Sequence, residues 1–144
     1  MNSENKEKIL ATIVLEILGK PPEHLVEILV GIIKELGGEK GISIKSERIN
    51  EPHPAKEIEG IYSSFAEIEI ETKGIEQMIA IMFKYMPSHI EIMSPENIGL
   101  SKNSWNELFN ELSRRLHAYD EVARIIQNEK VILENKLKEL KNKK

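Results

Sequence analysis

Cysteine is absent from the 144 residues, which excludes disulfides, thiolate-held metals and a cysteine nucleophile. Aspartate is nearly absent as well, Asp120 standing alone against 23 Glu. Long apolar runs are missing. The stretch over residues 9–18 is ten residues long and contains Glu16, too short to span a bilayer. It also has no cationic start leading to a small-residue cleavage site, so neither a membrane span nor a secretory signal is expected. A reducing cytoplasm is the expected location. No phosphate-binding glycine loop, dinucleotide fingerprint, nucleophile elbow or zinc-protease helix motif occurs. Nor is there a basic-aromatic segment of the kind on which RNA-recognition modules stack bases.

Charge is present in quantity but unevenly placed. The net charge is −4, while residues 130–144 carry six Lys and two Glu, leaving −8 on residues 1–129. Phosphate binding needs a basic face, so an acidic bulk argues against nucleic acid as a partner. The Lys-rich end suits the negative pole of a helix dipole.

Hydrophobic spacing divides the chain into six elements and a tail. Residues 9–18 carry Ala11, Ile13, Leu15 and Ile17 on one side of a strand and Leu10, Val14 and Leu18 on the other. A strand apolar on both sides belongs in the middle of a sheet. Gly19-Lys20-Pro21-Pro22 interrupts it, and Pro suits a first helical turn. Leu25, Ile28, Leu29, Ile32, Ile33 and Leu36 then recur at helical spacing up to Gly37-Gly38, the expected glycine cap. Residues 42–49 read as a strand, and a polar connection over residues 50–60 follows. Residues 61–72 alternate cleanly, Ala66, Ile68 and Ile70 facing one way and Glu67, Glu69 and Glu71 the other. Residues 74–86 form a helix with Ile75, Met78, Ile79, Met82 and Phe83, stopped by Pro87, and residues 89–93 a last strand.

The order βαββαβ predicts an α+β, ferredoxin-like sandwich over residues 9–100. Its sheet is expected to be antiparallel and four-stranded, with both helices on one face. Right-handed crossovers place the first and third long strands in its centre. Residues 1–8 are expected to be disordered, and residues 101–144 to form a long helix.

That helix carries the strongest pattern in the chain. Trp105, Leu112, Tyr119, Ile126, Leu133 and Leu140 recur every seven residues, each followed four later by Phe109, Leu116, Ala123, Lys130 or Leu137 while the helix lasts. Steps of four and three over five heptads are the d-to-a and a-to-d steps of a coiled coil. Ser104 and Glu107 have capping-box spacing at its start. At 1.5 Å per residue the helix would run roughly 55 Å, whereas a domain of about 95 residues has a radius of gyration near 12–13 Å. The second half of the seam therefore needs a partner. Tyr119, Val122, Ile126, Leu133, Leu137 and Leu140 are the expected oligomerisation residues, in a homodimer or other homo-oligomer or against another protein.

For chemistry the chain gives little. Glu67, Glu69 and Glu71, with Lys45, Glu47, His89 and Glu91 from neighbouring strands, are expected on the open sheet face, where the carboxylates would repel RNA. His24, His53, His89 and His117 are scattered. Only His89 and Glu91, with Glu16 near, could approach a metal, and such sets are ordinarily solvated strand residues. No catalytic residue, metal or cofactor is assigned, and the protein is not expected to be an enzyme. Gly19-Lys20-Pro21-Pro22-Glu23-His24-Leu25 reads as a turn that starts a helix. It also resembles the strand-to-helix junction of ACT domains, which share the βαββαβ order. That resemblance implies a regulatory domain sensing small molecules, with Gly19, Glu23 and His24 as ligand contacts. With its GKPPEHLVEIL and KYMPSHIEIMSPE segments and terminal heptads, the whole chain resembles small uncharacterised archaeal proteins.

Overall fold

Alternating apolar residues build the centre of the sheet. In this computed structural model, which describes residues 8–143, β1 (Ile9–Gly19) and β4 (Tyr62–Thr72) pair antiparallel along their whole length, from Ile9 opposite Thr72 to Gly19 opposite Tyr62. Ile9, Ala11, Ile13 and Leu15 of β1 and Ala66, Ile68 and Ile70 of β4 are buried on one face. Residues 1–7 of the terminus expected to be disordered lie outside the described residues.

Around this pair stand β2 (Ile42–Ile49), the short β3 (His53–Pro54) and β5 (His89–Ser94). The order is β2-β4-β1-β5, every pairing is antiparallel, and β3 joins β4 off this path. The sheet thus has five strands rather than the expected four. The extra one arises because β2 pairs only with the stretch of β4 from Ala66 to Thr72, leaving its start unpaired. His53 and Pro54 of the connecting segment fill that place opposite Ser63 and Tyr62. Proline is tolerated there because an edge strand needs no donor on its outer side.

Two helices cover one face. Leu29, Ile33 and Leu36 of α1 (Pro22–Gly37) and Met78 and Ile81 of α2 (Ile75–Tyr85) close the core over the buried residues of β1 and β4. Pro22 opens α1, Glu23 lies in its first turn and Lys34 in its last, as the helix dipole favours. Gly38 caps it in a right-handed conformation, so no left-handed glycine cap is used. The need for glycine here is steric: a Cβ on Gly37 would stand 3.1 Å from the Ile44 side chain. In α2 the buried residues are Met78 and Ile81; of the expected Ile75, Met78, Ile79, Met82 and Phe83 only Met78 is among them, and Ile81 is not an expected one.

The long helix α3 (Lys102–Asn142) has 41 residues, about 60 Å at 1.5 Å per residue. It starts within the expected residues 101–144 but a turn before the Ser104–Glu107 capping-box spacing suggests. The Ser101 side chain accepts the Ser104 amide at 3.1 Å, which makes Ser101 the cap and places Ser104 inside the helix. The chain divides into two compact units, one ending at Gly99 and the other beginning at Leu100. It is an α+β protein with a five-stranded antiparallel open sheet and a long C-terminal helix.

Candidate functional site

A helix whose apolar residues fall on one seam must bury that seam or expose it to water. In α3 no residue is buried. The six residues expected to drive assembly, Tyr119, Val122, Ile126, Leu133, Leu137 and Leu140, are all between 51% and 65% exposed. They lie on one continuous helix, and Ile126, Glu129, Lys130, Leu133, Glu134 and Leu137 line a shallow hollow of about 360 Å³ along it. At the other end of the seam Trp105 and Phe109 stack with ring centroids 5.5 Å apart. The polar side is braced within the helix: Arg115 donates to Glu111 at 2.7 Å and Arg124 pairs with Asp120 at 3.1 Å. Arg115, and then Arg114, hold the Glu111 carboxyl below its ordinary value.

Exposure also brings out residues that the heptad count passes over. Ile125 and Ile132 are exposed, seven residues apart and one position before Ile126 and Leu133. With Val122 they widen the apolar stripe on one flank. Their own seven-residue spacing was the available signal.

The sheet face away from α1 and α2 holds the acidic stripe, because residues opposite each other in a ladder share a face. Glu67, Glu69 and Glu71 stand opposite Val14, Thr12 and Leu10. The neighbouring strand supplies a different set from the one alternation suggests. A bulge between Ile44 and Ser46 adds one residue to β2, so Ser46 and Arg48 face Glu69 and Glu67 while Glu47 turns to the Ile68 side. Arg48 approaches Glu67 at 3.7 Å, and Lys8 and Lys45 approach Glu71 at 3.4 and 3.8 Å. The chain supplies its own cations to the stripe.

The sequence model of the MJ0538 family matches residues 10–144. The chain belongs to the MJ0538 family. The match to the MJ0538 family runs through the sheet and through α3 alike. No curated protein and no solved structure matches the chain.

The remaining candidate residues of this MJ0538 family member are spread over the sheet unit. At the junction of β1 and α1, Gly19 packs closely enough that a Cβ would stand 3.1 Å from Leu25. Glu23 and His24 are exposed beyond it, and His24 Nδ1 lies 3.5 Å from Glu27. His89 lies 4.0 Å from Glu91, but Glu16 is engaged elsewhere, accepting from Ser63 Oγ at 2.8 Å. Among the described residues no three His, Asp or Glu side chains converge as a metal site would require. No helix among them is long and apolar enough to cross a membrane.

One polar cluster has no counterpart in the sequence reading. Glu39, just past α1, accepts from Lys84 and, at 2.8 Å, from the Tyr85 hydroxyl of α2. Glu35 adds a second carboxylate 3.2 Å from Lys84. Hydrogen bonds from Lys84 and Tyr85 lower the Glu39 pKa. Partial burial, and then the bond to Glu39, push the Tyr85 hydroxyl up to about 12. The Lys84 ammonium is held charged by Glu39 and Glu35. Opposite charges neutralise one another here, and no group is left poised near neutral pH as an acid or base would need to be.

Proposed function

We propose that this protein is a noncatalytic cytoplasmic interaction protein of ferredoxin-like fold that pairs with a second copy of itself through α3. The observation that carries the reading is the exposed seam of a 41-residue helix. Leaving such a stripe in water forgoes roughly 25 cal/mol per Å² of apolar surface, and a second identical helix removes the cost for both. The fold reading draws support from the central position of β1 and β4 and from the two helices sharing one sheet face. Solution mass measured with and without residues 120–144 tests the assembly. The full chain should have at least twice the monomer mass, and the shortened chain should be a folded monomer. A full chain that stays monomeric at high concentration refutes the proposal.

A second reading follows the ACT-like junction. Gly19, Glu23 and His24 lie together at one strand-to-helix turn, and a small ligand held there would raise the melting temperature. A thermal-shift panel of amino acids and nucleotides with no response would remove it.

A further inference from the structure

We infer that the α3 helices pair antiparallel over residues 120–143, in a register fixed by Glu129 and Lys136; this rests on the self-association proposed above. In a parallel pair, equivalent core positions meet and each g position faces the e position of the partner's next heptad. That arrangement sets Lys130 against Lys130 of the second copy inside the seam. It also sets Glu129 against Glu134 and Lys136 against Lys141, all like charges. Only Arg115 against Asp120 is favourable, and both are already engaged within their own helix, with Glu111 and Arg124.

Antiparallel pairing brings a positions onto d positions and g onto g. Over residues 120–143 the layers are Ala123 with Leu140, Ile126 with Leu137 and Lys130 with Leu133, each formed twice. Lys130 then meets an apolar side chain, along which its methylene stem can lie while the ammonium reaches water. The hollow lined by Ile126, Lys130, Leu133 and Leu137 is where the second copy's Leu133 would seat. On the flanks Glu129 faces Lys136, twice. Asp120 faces Lys141 as well, but Arg124 of its own helix already holds it, so the charge match rests on Glu129 and Lys136. Sliding the helices by one heptad destroys this match, placing Glu129 on Glu129 and Asp120 on Glu134. A longer overlap, shifted by three heptads, faces Asp120 with itself and turns Glu129 to Arg115, which Glu111 already holds.

Charge exchange separates these arrangements. Glu129→Lys should weaken self-association roughly tenfold at low salt, two attractive pairs becoming repulsive. The effect should fade as salt rises. Adding Lys136→Glu to the same chain should restore the parent affinity. In a parallel pair Glu129→Lys would instead strengthen association, by facing Glu134. In the longer antiparallel overlap the second change would rescue nothing. Either result overturns the inference while leaving self-association standing, whereas a monomeric parent protein overturns both. The absence of cysteine allows an independent check in a thiol redox buffer. Ala123→Cys mixed with Leu140→Cys should give the mixed disulfide, and Ala123→Cys alone should give none. A disulfide formed by Ala123→Cys alone, or none in the mixture, counts against the antiparallel register.

Discussion

Replacing Ile126 and Leu133 together with Glu is the sharpest perturbation of the proposed assembly, and its size follows from exposure. Burying a whole Leu or Ile side chain is worth about 1.5–3 kcal/mol. Ile126 is 59% exposed and Leu133 65%, so these fractions are what a partner could still cover. Scaled accordingly, each chain forfeits about 2–4 kcal/mol and a dimer about 4–8 kcal/mol, before any cost of bringing carboxylates into the seam. At 1.4 kcal/mol per tenfold, the dissociation constant should rise by about three to six orders of magnitude. Sedimentation equilibrium over a wide concentration range measures it directly. Neither residue belongs to the core that joins β1 and β4 to α1 and α2, so the thermal unfolding of the sheet unit should persist. An average mass unchanged by the double substitution would refute the seam as the element of assembly.

Three further outcomes are expected. Ile68 is fully buried on a central strand, and Ile68→Ala should cost about 2–5 kcal/mol in urea unfolding, against near-neutrality for Glu47→Lys at the sheet edge. Arg48→Glu should destabilise by about 0.5 kcal/mol by setting two carboxylates opposite each other at Glu67, and a neutral outcome there would contradict the bulge at Lys45. In a tyrosinate absorbance titration Tyr85 should ionise near pH 12, later than an ordinary phenol at about 10. Tyr85→Phe should remove that late step. Because the folded value lies above the unfolded one, the contribution of Tyr85 to stability is complete below about pH 10 and lost as pH rises towards 12.

Local chemistry made much of the sheet unit legible. Ala66, Ile68 and Ile70 alternate with Glu67, Glu69 and Glu71, and such a strand has one way to turn. The doubly apolar residues 9–18 announced a central strand, which β1 is. What escaped was set by contacts distant in sequence. Nothing around Lys45 signals a bulge, yet one extra residue there exchanges Glu47 for Arg48 beside the acidic stripe. Two residues, His53 and Pro54, become a strand because β4 outruns β2. In α2, apolar residues at 75, 78, 79, 81, 82 and 83 occupy most of the circumference, and the sheet selects the Met78–Ile81 face. On α3 the heptads were plain, but Ile125 and Ile132 beside them stand at neither of the two core positions, so the repeat does not single them out. The Glu39–Lys84–Tyr85 cluster joins residues 45 and 46 apart, beyond any local pattern.

Sheets with two free borders are prone to add foreign strands, and this one is protected on both. At β2 the extra residue is Lys45, and at β5 a second bulge leaves Met93 without an opposite number in β1. Pro87 and Pro95 bracket the six residues of β5. Irregular, twisted borders of this kind offer no straight template for main-chain pairing. Copies of the chain crowded together in a cell are therefore steered away from ribbon-like aggregation.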